Sequence, residues 1–214
     1  MRPELYVIVS SATVRGMDPC RIAACAIAGG TDTIQFRDKD LDARGFLRIA
    51  KDLRALTRRN GTLFIVNDRL DLALACGADG VHLGQGDLPA GTARQLAPEG
   101  YIIGVSVGTV GEAVRAERDG ADYIALSPTF STLSKEDAGP GLGLDRLHLI
   151  RRAVRLPLVA IGGISRENAG SAIAAGADGV AVISAVVESP DITAAARELR
   201  DVVRQAKLAT AGRG

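Results

Sequence analysis

The feature that most constrains this chain is a short apolar run, followed by a helix-type segment, that recurs eight times. The runs are continuously apolar, which is typical of parallel strands covered by helices. They lie at Leu5–Val9, Thr33–Phe36, Leu63–Val66, Gly80–Leu83, Ile102–Val105, Tyr123–Leu126, Leu158–Ile161 and Gly179–Ile183. Between them lie alanine-rich segments such as Ala43–Arg59, Gly111–Arg118, Asp145–Val154 and Arg166–Ala175. Eight such units predict a single (β/α)8 TIM barrel, and the alternative is an open doubly wound sheet.

A short phrase repeats just before four of these runs. Gly77-Ala78-Asp79, Gly120-Ala121-Asp122 and Gly176-Ala177-Asp178 precede the fourth, sixth and eighth runs, and Gly30-Thr31-Asp32 precedes the second. The glycine suits the left-handed residue that ends a helix, and the aspartate suits a tight turn. Because barrel enzymes bind their substrates at the opposite ends of the strands, we expect these aspartates to be structural.

Composition narrows the class of protein. The 214 residues are 47% apolar, enough for one barrel domain over residues 1–208, with a disordered tail expected at 209–214. A net charge of +1 and an aromatic content of 3% argue against nucleic acid and anionic membranes as partners. No apolar run approaches the roughly 20 residues that span a bilayer, so we expect a cytoplasmic protein. The three cysteines form no CxxC and are expected to be reduced, buried small residues.

Polar residues follow the second run, at the end where a barrel carries its chemistry. Alternation along the strand sends Gln35, Arg37 and Lys39 to one side. Two cations beside an amide are suited to binding a phosphate. The alternative is a charged loop in solvent, which the position of Gln35 inside the strand disfavours because burying an unpaired polar group is costly.

Two aspartates follow neighbouring runs. Asp68 comes after the third run, directly behind Asn67, and Asp87 comes after the fourth. Since neighbouring strands end side by side, their carboxylates are expected to converge. Two carboxylates and phosphate oxygens are a common ligand set for Mg²⁺, so the pair predicts a magnesium site. The alternative is two independent turn aspartates.

Hydroxyls and glycines follow the remaining runs. Ser106 follows the fifth, and the loop 127–143 after the sixth carries Thr132, Ser134 and Lys135. Gly162-Gly163 and Ser184 follow the last two, where this fold usually binds phosphate. A flexible polar loop is the alternative for 127–143.

Neither histidine provides an evident catalytic base. His82 lies inside the fourth run and is expected to be buried and hydrogen-bonded, whereas His148 is expected at the surface. No set of nucleophile and base can be assembled, and two histidines do not give zinc-binding spacing. The charges instead suit a monophosphate bound beside a diphosphate, with transfer of a group off the diphosphate.

Four phrases carry a resemblance to a known family. They are IQFRDK (34–39), FIVNDRLDLALACGADGVHLGQGDLP (64–89), GADYIALSPTFSTLSKEDAGPGLGL (120–144) and PLVAIGGISRENA with AAGADGVAVISA (157–185). Together they make the chain resemble the thiamine phosphate synthases from about Leu5 to about Pro190. The resemblance implies that 4-amino-2-methyl-5-hydroxymethylpyrimidine diphosphate and 4-methyl-5-(2-hydroxyethyl)thiazole phosphate are joined to thiamine phosphate, with release of diphosphate. It also implies that the pyrimidine C–O bond breaks first and that the thiazole nitrogen attacks the resulting cation.

The resemblance also assigns roles to residues. The implied metal ligands for Mg²⁺ are Asp68 and Asp87, and the implied catalytic residues are Arg37, Lys39, Ser106 and Lys135. The implied substrate contacts are Gln35, Phe36, Arg37, Asp38, Lys39, Asn67, Ser106, Thr132, Leu133, Ser134, Lys135, Gly163, Ile183 and Ser184. The implied partners are therefore the two small-molecule substrates, and family members are often small homo-oligomers.

The chain departs from the family pattern at a few positions, of which Gly108 matters most. The family usually has histidine there, and the related thiazole tautomerases use that histidine in catalysis. The glycine therefore argues against the tautomerase alternative. A second alternative is a non-catalytic binding or regulatory barrel of the thiamine pathway, which a degraded metal pair would favour; Asp68 and Asp87 are both intact.

Overall fold

A computed structural model of the protein describes residues 3–12, 14–131 and 141–211. The strands are β1 (Leu5–Val9), β2 (Thr33–Phe36), β3 (Leu63–Asn67), β4 (Gly80–Leu83), β5 (Ile102–Val107), β6 (Tyr123–Leu126), β7 (Leu158–Ile161) and β8 (Gly179–Val182). Each strand pairs in parallel with the next, and β8 pairs in parallel with β1 to close the barrel. The prediction of a TIM barrel is confirmed, and the open sheet is excluded.

Helices connect the strands. In the described ranges they are α1 (Pro19–Ala28), α2 (Ala43–Arg59), α3 (Leu70–Ala75), α4 (Ala90–Leu96), α5 (Val110–Arg118), α6 (Gly143–Ala153), α7 (Ala169–Ala174), α8 (Ser184–Val187) and α9 (Ile192–Ala211). Helix α9 continues three residues past the expected boundary at 208, through alanine and threonine, and alanine is the strongest helix former. No helix in these ranges has the length and apolar character needed to cross a membrane.

Some strand ends differ from the prediction. Strand β3 extends one residue further, to Asn67, and β5 extends two residues further, to Val107, because these residues still pair with His82 and Leu126 of the neighbouring strands. Strand β8 ends one residue earlier, at Val182. Pairing with a neighbour determines where a strand ends, and that partner cannot be read from the local residues.

The barrel has two separate cores. The larger lies between the strands and the helices. The smaller fills the barrel interior and consists of Tyr6, Ile8, Ile65, Tyr123, Ala125, Val159, Ile161 and Ala181. Along β1, Tyr6 and Ile8 belong to the inner core and Leu5, Val7 and Val9 to the outer one, as expected for side chains that alternate along a strand. All three cysteines have free thiols, and Cys76 is buried as predicted, whereas the predicted burial is wrong for Cys20 and Cys25, which are half-buried.

The repeated aspartates stabilise the amino-terminal edge of the barrel. Asp79 accepts hydrogen bonds from the Arg54 guanidinium (2.8 Å) and from the Phe64 backbone N–H (2.9 Å). Arg54 lies on α2, one helix before α3, which leads into Asp79, and the same spacing recurs when Asp122 pairs with Arg94 of α4 and Asp178 with Arg151 of α6. Each aspartate thus links a helix to a strand start, and its predicted structural role is confirmed.

Candidate active site

A cavity of about 480 Å³ opens at the carboxyl-terminal edge of the barrel. It is lined by Arg37, Lys39, Asn67, Asp68, His82, Gly84, Gln85, Gly86, Asp87, Ser106, Val107, Gly108, Glu112, Ser127 and Pro128. These residues come from the ends of β2 to β6 and from the loops that follow them. This is the edge at which barrels of this type carry their active sites. The structure therefore brings together both cations from β2, both candidate metal ligands and the Ser106 hydroxyl.

The end of β2 sends alternate side chains to opposite sides. Arg37 and Lys39 line the cavity. Phe36 is fully buried on the helix side, where its ring centroid lies 4.5 Å from that of Phe46. The Phe36 side chain, an implied substrate contact, therefore points away from the cavity.

Asp38 is also implied to contact substrate, but its carboxylate is bound by backbone groups of two loops. It accepts hydrogen bonds from the backbone N–H groups of Ser11 (2.9 Å) and Leu41 (3.0 Å). Burial by itself would raise the pKa of Asp38, but these hydrogen bonds outweigh burial and lower that pKa. The Asp38 side chain therefore holds the loops after β1 and β2 together and does not line the cavity.

Asp68 and Asp87 converge as their positions predict. Asp87 accepts a hydrogen bond from the backbone N–H of Gly84 (2.7 Å), which orients its carboxylate. Burial and the adjacent Asp87 carboxylate raise the pKa of Asp68 to about 6, although Arg37 and Lys39 act in the opposite direction. The structure thus places two carboxylates in mutual repulsion beside two cations.

The backbone at Asp68 is held in a conformation that is unusual for an aspartate. Its φ is +64°, in the left-handed region that glycine, asparagine and aspartate occupy most readily. Its N–H donates to the His82 carbonyl (2.8 Å), so the pairing of β3 with β4 maintains this conformation. Non-glycine residues in this region often lie at functional sites.

The carboxylate pair fits a divalent cation with oxygen ligands. Within residues 3–12, 14–131 and 141–211, no group of three or more histidine, cysteine, aspartate or glutamate side chains comes together as a metal site. Mg²⁺ commonly binds through one or two carboxylates and completes its octahedron with water and phosphate oxygens. Asp68 and Asp87 match that ligand set.

A hydrogen-bonded chain crosses the barrel interior below the cavity. Gln35 Nε2 donates to the Tyr6 hydroxyl (2.7 Å), and the Tyr6 and Tyr123 hydroxyls are 3.1 Å apart. The Tyr123 hydroxyl lies 2.9 Å from His82 Nδ1, and His82 Nε2 lies 2.9 Å from Ser106 Oγ. The chain thus runs from β2 through β1, β6 and β4 to β5. The expectation that His82 is buried and hydrogen-bonded is confirmed.

Tyr6 and Tyr123 were not predicted from the sequence as site residues. One signal was available, since Gly104 lies opposite Tyr123 on β5, and a Cβ there would overlap the Tyr123 ring. A glycine inside a strand often marks close approach of another group. That signal does not say which group approaches.

The loop after β5 is held from two neighbouring helices. The N–H of Gly108 donates to Glu112 (2.6 Å) on α5, and its carbonyl accepts from Arg146 (3.1 Å) on α6. Gln85 donates to the Ser106 carbonyl (2.8 Å), which ties the loop after β4 to the end of β5. These contacts hold the backbone around Ser106, and they were not predicted from the sequence.

The loop after β7 has the close backbone approach expected of a glycine pair. Gly162 has a φ of +92° and Gly163 a φ of +61°, and a Cβ at Gly163 would overlap the backbone of Ser131. The Asn168 side chain donates to the Gly163 carbonyl (2.8 Å). Ile183 packs against the inner core, and Ser184 begins α8.

The candidate residues of the loop after β6 can be placed only in part. Thr132, Leu133, Ser134 and Lys135 lie outside the described residues. Gly163, Ile183 and Ser184 lie at the ends of β7 and β8, beyond the residues that line the 480 Å³ cavity.

The closed barrel and the charged cavity at its carboxyl-terminal edge define a TIM-barrel protein suited to an anionic ligand. The family model described as thiamine monophosphate synthase matches residues 5–186. The chain therefore belongs to the thiamine monophosphate synthase family, whose members are transferases.

Individual relatives agree with this assignment over nearly the whole chain. Thiamine-phosphate synthase of Methanoregula boonei is 59% identical, with 97% of this chain and 96% of the relative covered. The enzyme of that name from Moorella thermoacetica is 51% identical, with 95% and 97% covered. The structure of thiamine phosphate pyrophosphorylase from Pyrococcus furiosus superposes with a TM-score of 0.88 at 41% identity, with 96% and 97% covered.

Proposed function

We propose that this protein is a Mg²⁺-dependent thiamine-phosphate synthase. It joins 4-amino-2-methyl-5-hydroxymethylpyrimidine diphosphate to 4-methyl-5-(2-hydroxyethyl)thiazole phosphate and releases diphosphate, acting on these small molecules in the cytoplasm. The observation that carries the proposal is the gathering of Arg37, Lys39, Asp68 and Asp87 around one cavity. With Mg²⁺ bound between the carboxylates, such a site would offset the charge of a diphosphate, which is what the reaction requires of its leaving group.

The charged residues divide the work on the diphosphate. Arg37 and Lys39 face its oxygens, and Asp68 and Asp87 hold Mg²⁺. The bound ion would offset charge on the leaving group. The raised pKa of Asp68 is consistent with this role, because a nearby cation would relieve the repulsion between the two carboxylates.

Uncharged groups orient the same substrate. Asn67 ends β3 beside Asp68, and Ser106, the next-to-last residue of β5, lines the same cavity. Both can donate hydrogen bonds to the pyrimidine diphosphate. Gln35 lies deeper, among the inner-core side chains, where it can face the pyrimidine ring. Phe36 and Asp38 contribute indirectly, by fixing the direction of the cationic residues beside them.

The thiazole phosphate is proposed to bind at the ends of β7 and β8. Gly163 offers a backbone without a side chain, and Ser184 begins a short helix after β8. Ile183 would contact the ring. Thr132, Leu133, Ser134 and Lys135 complete this site and the diphosphate site by family resemblance.

The proposed mechanism is dissociative. The pyrimidine C–O bond breaks first, and the diphosphate leaves with the bonding electron pair. The thiazole nitrogen then donates its lone pair to the resulting methylene cation and forms the new C–N bond. No protein nucleophile is needed, so the protein contributes charge stabilisation and positioning.

The decisive experiment is incubation of purified protein with both substrates, with and without Mg²⁺. Thiamine phosphate is expected only when Mg²⁺ is present, and chelation should stop turnover reversibly. No product, or product formed equally well in chelator, would overturn the proposal. Tight binding of thiamine phosphate without turnover would favour the non-catalytic alternative.

A further inference from the structure

We propose that the hydrogen-bond chain formed by Gln35, Tyr6, Tyr123 and His82 has a single donor-to-acceptor direction. This direction turns the Ser106 hydroxyl proton toward the cavity. Tyr6 and Tyr123 are then positioning residues for an anion-binding hydroxyl. The identity of the anion as diphosphate rests on the proposed function. The direction of the hydrogen-bond chain rests on the orientation of the Gln35 amide and on the distances between the interior groups.

The direction begins at Gln35. Its side-chain nitrogen lies 2.7 Å from the Tyr6 oxygen, and an amide nitrogen can only donate. The Tyr6 oxygen therefore accepts, and its single proton is available to Tyr123, whose hydroxyl oxygen is 3.1 Å away.

The same reasoning assigns the histidine tautomer. Once Tyr123 accepts from Tyr6, its own proton points at His82 Nδ1, 2.9 Å away. Nδ1 must then be the unprotonated nitrogen, so a neutral His82 carries its proton on Nε2. Nε2 donates to Ser106 Oγ across 2.9 Å.

The opposite direction would leave a proton without a partner. If Ser106 donated to His82, then Tyr123 would donate to Tyr6, whose oxygen already accepts from Gln35. The Tyr6 proton would then have no acceptor among the described residues, and Tyr6 is 2% exposed. Leaving a buried donor unpaired is unfavourable. Burial also raises the pKa of both tyrosines, so both protons stay in place.

The consequence appears at Ser106. In the assigned direction its oxygen accepts from His82, and its own proton is free to donate to a ligand in the cavity. In the opposite direction the hydroxyl would donate to His82 and present only lone pairs, which repel an anionic oxygen. The direction of the chain therefore decides whether Ser106 attracts or repels the anion.

The tautomer can be measured directly in the ligand-free protein. The chain has only two histidines, so ¹⁵N-histidine labelling and long-range ¹H–¹⁵N NMR resolve His82 from the exposed His148, which serves as an internal control. We expect His82 in the Nε2–H form. A dominant Nδ1–H form in the wild-type protein would overturn the proposal.

The effect on the ligand is tested by binding Mg²⁺-diphosphate in a calorimeter. Tyr123→Phe keeps the ring but removes the link to His82, and should weaken binding about 10-fold, as expected for one hydrogen bond to a charged group. Ser106→Ala should weaken it to a similar extent, and the double variant should lose no more than either single variant. Tyr6→Phe should lose less, because Tyr123 can still donate to His82.

Tyr101→Phe is the matched control. The Tyr101 hydroxyl is buried and has no hydrogen-bond partner among the described residues, at the opposite end of the barrel. Its removal should leave diphosphate binding and the His82 tautomer unchanged. Additive losses of diphosphate affinity for Tyr123→Phe and Ser106→Ala would contradict the proposed direction of the hydrogen-bond chain. Equal losses of affinity for Tyr123→Phe and Tyr101→Phe would also contradict it.

The two proposals fail in distinguishable ways. An active synthase whose His82 carries its proton on Nδ1 would refute the assigned direction of the hydrogen-bond chain but not the proposed function. A protein that has the Nε2–H tautomer and binds diphosphate, but makes no thiamine phosphate, would refute the proposed function. It would support the assigned direction of the hydrogen-bond chain.

Discussion

The two ends of the barrel use aspartate in opposite ways. At the amino-terminal edge, Asp79 accepts from Arg54 and from a strand N–H, so its charge is matched. At the carboxyl-terminal edge, Asp68 faces Asp87, and burial together with that carboxylate raises its pKa to about 6. The amino-terminal edge is thus arranged for stability. At the carboxyl-terminal edge two carboxylates repel each other, and a bound cation would relieve that repulsion. Unmatched groups of this kind are expected where a protein binds and reacts.

The largest expected effect comes from removing a carboxylate at the repulsive end. Asp68→Ala should lower kcat by about 1,000-fold, because the leaving diphosphate loses its metal-linked stabilisation, while thermal unfolding stays near that of the wild type. Activity assays and calorimetric melting test this. Asp71→Ala, which removes an exposed acid paired with Arg69, should keep normal activity. Severe unfolding of Asp68→Ala would make that residue structural.

The second prediction concerns the matched end. Asp79→Ala should reduce the free energy of unfolding by about 2 kcal/mol, because it leaves the Phe64 N–H and the Arg54 guanidinium without their acceptor. Turnover at saturating substrate should stay unchanged. Urea unfolding and steady-state kinetics separate the two effects. A large loss of kcat in a fully folded Asp79→Ala variant would contradict the proposed difference between the two ends of the barrel.

The third prediction uses pH in metal-free protein. Because the pKa of Asp68 is raised from 3.8 to about 6, the folded protein keeps a proton that the unfolded chain releases, so stability falls as pH rises through that interval. Asp68→Asn escapes this loss and tolerates the left-handed backbone. Its free energy of unfolding should exceed that of the wild type by about 1 kcal/mol at pH 8, a figure reduced to allow for solvent screening of the partly exposed Asp68. This electrostatic advantage should be gone below about pH 4.

Urea titrations in chelator at several pH values measure that difference. Added Mg²⁺ should stabilise the wild type and not Asp68→Asn, which reverses the order of the two proteins. An Asn variant whose advantage grew toward acidic pH would contradict the assigned repulsion.

The smallest effect is expected at Gly108. A Cβ there would meet its nearest atoms at 3.5 Å, on Leu142, and 3.7 Å, on Glu112, which are ordinary contact distances. Gly108→Ala should therefore change stability by less than about 0.5 kcal/mol and activity by less than about twofold. Gly163→Ala, at a φ of +61° and against backbone, should cost about 1–3 kcal/mol. Equal melting temperatures for the two variants would contradict this.

Much of the fold was predictable because its signals are local. Continuous apolar runs gave five strands with the bounds seen in the structure, and the Gly-Ala-Asp phrases marked the turns into β4, β6 and β8. The approach of Asp68 to Asp87 was also predictable, since neighbouring parallel strands end at one edge. Errors at the ends of β3 and β5 arose because ladder pairing depends on the neighbouring strand.

The interior chain was not predictable for the same physical reason. Tyr6 and Tyr123 are 117 positions apart, and their hydroxyls meet only because β1 and β6 face each other across a closed barrel. Likewise, the resemblance of the phrase at 34–39 implies substrate contacts for Phe36 and Asp38 together with their neighbours. The structure shows the Phe36 ring on Phe46 and the Asp38 carboxylate on backbone N–H groups.

By itself, then, the sequence determined the strand and helix order, the family and the charged residues available at each strand end. These follow from hydrophobic periodicity and short-range turn chemistry, which act between near neighbours in the chain. Tertiary structure alone decided which side of β2 faces the cavity, how strongly Asp68 and Asp87 repel each other, and which way a buried row of hydroxyls and one imidazole directs its protons. Those properties depend on distances and burial between groups far apart in sequence, and only barrel closure sets them.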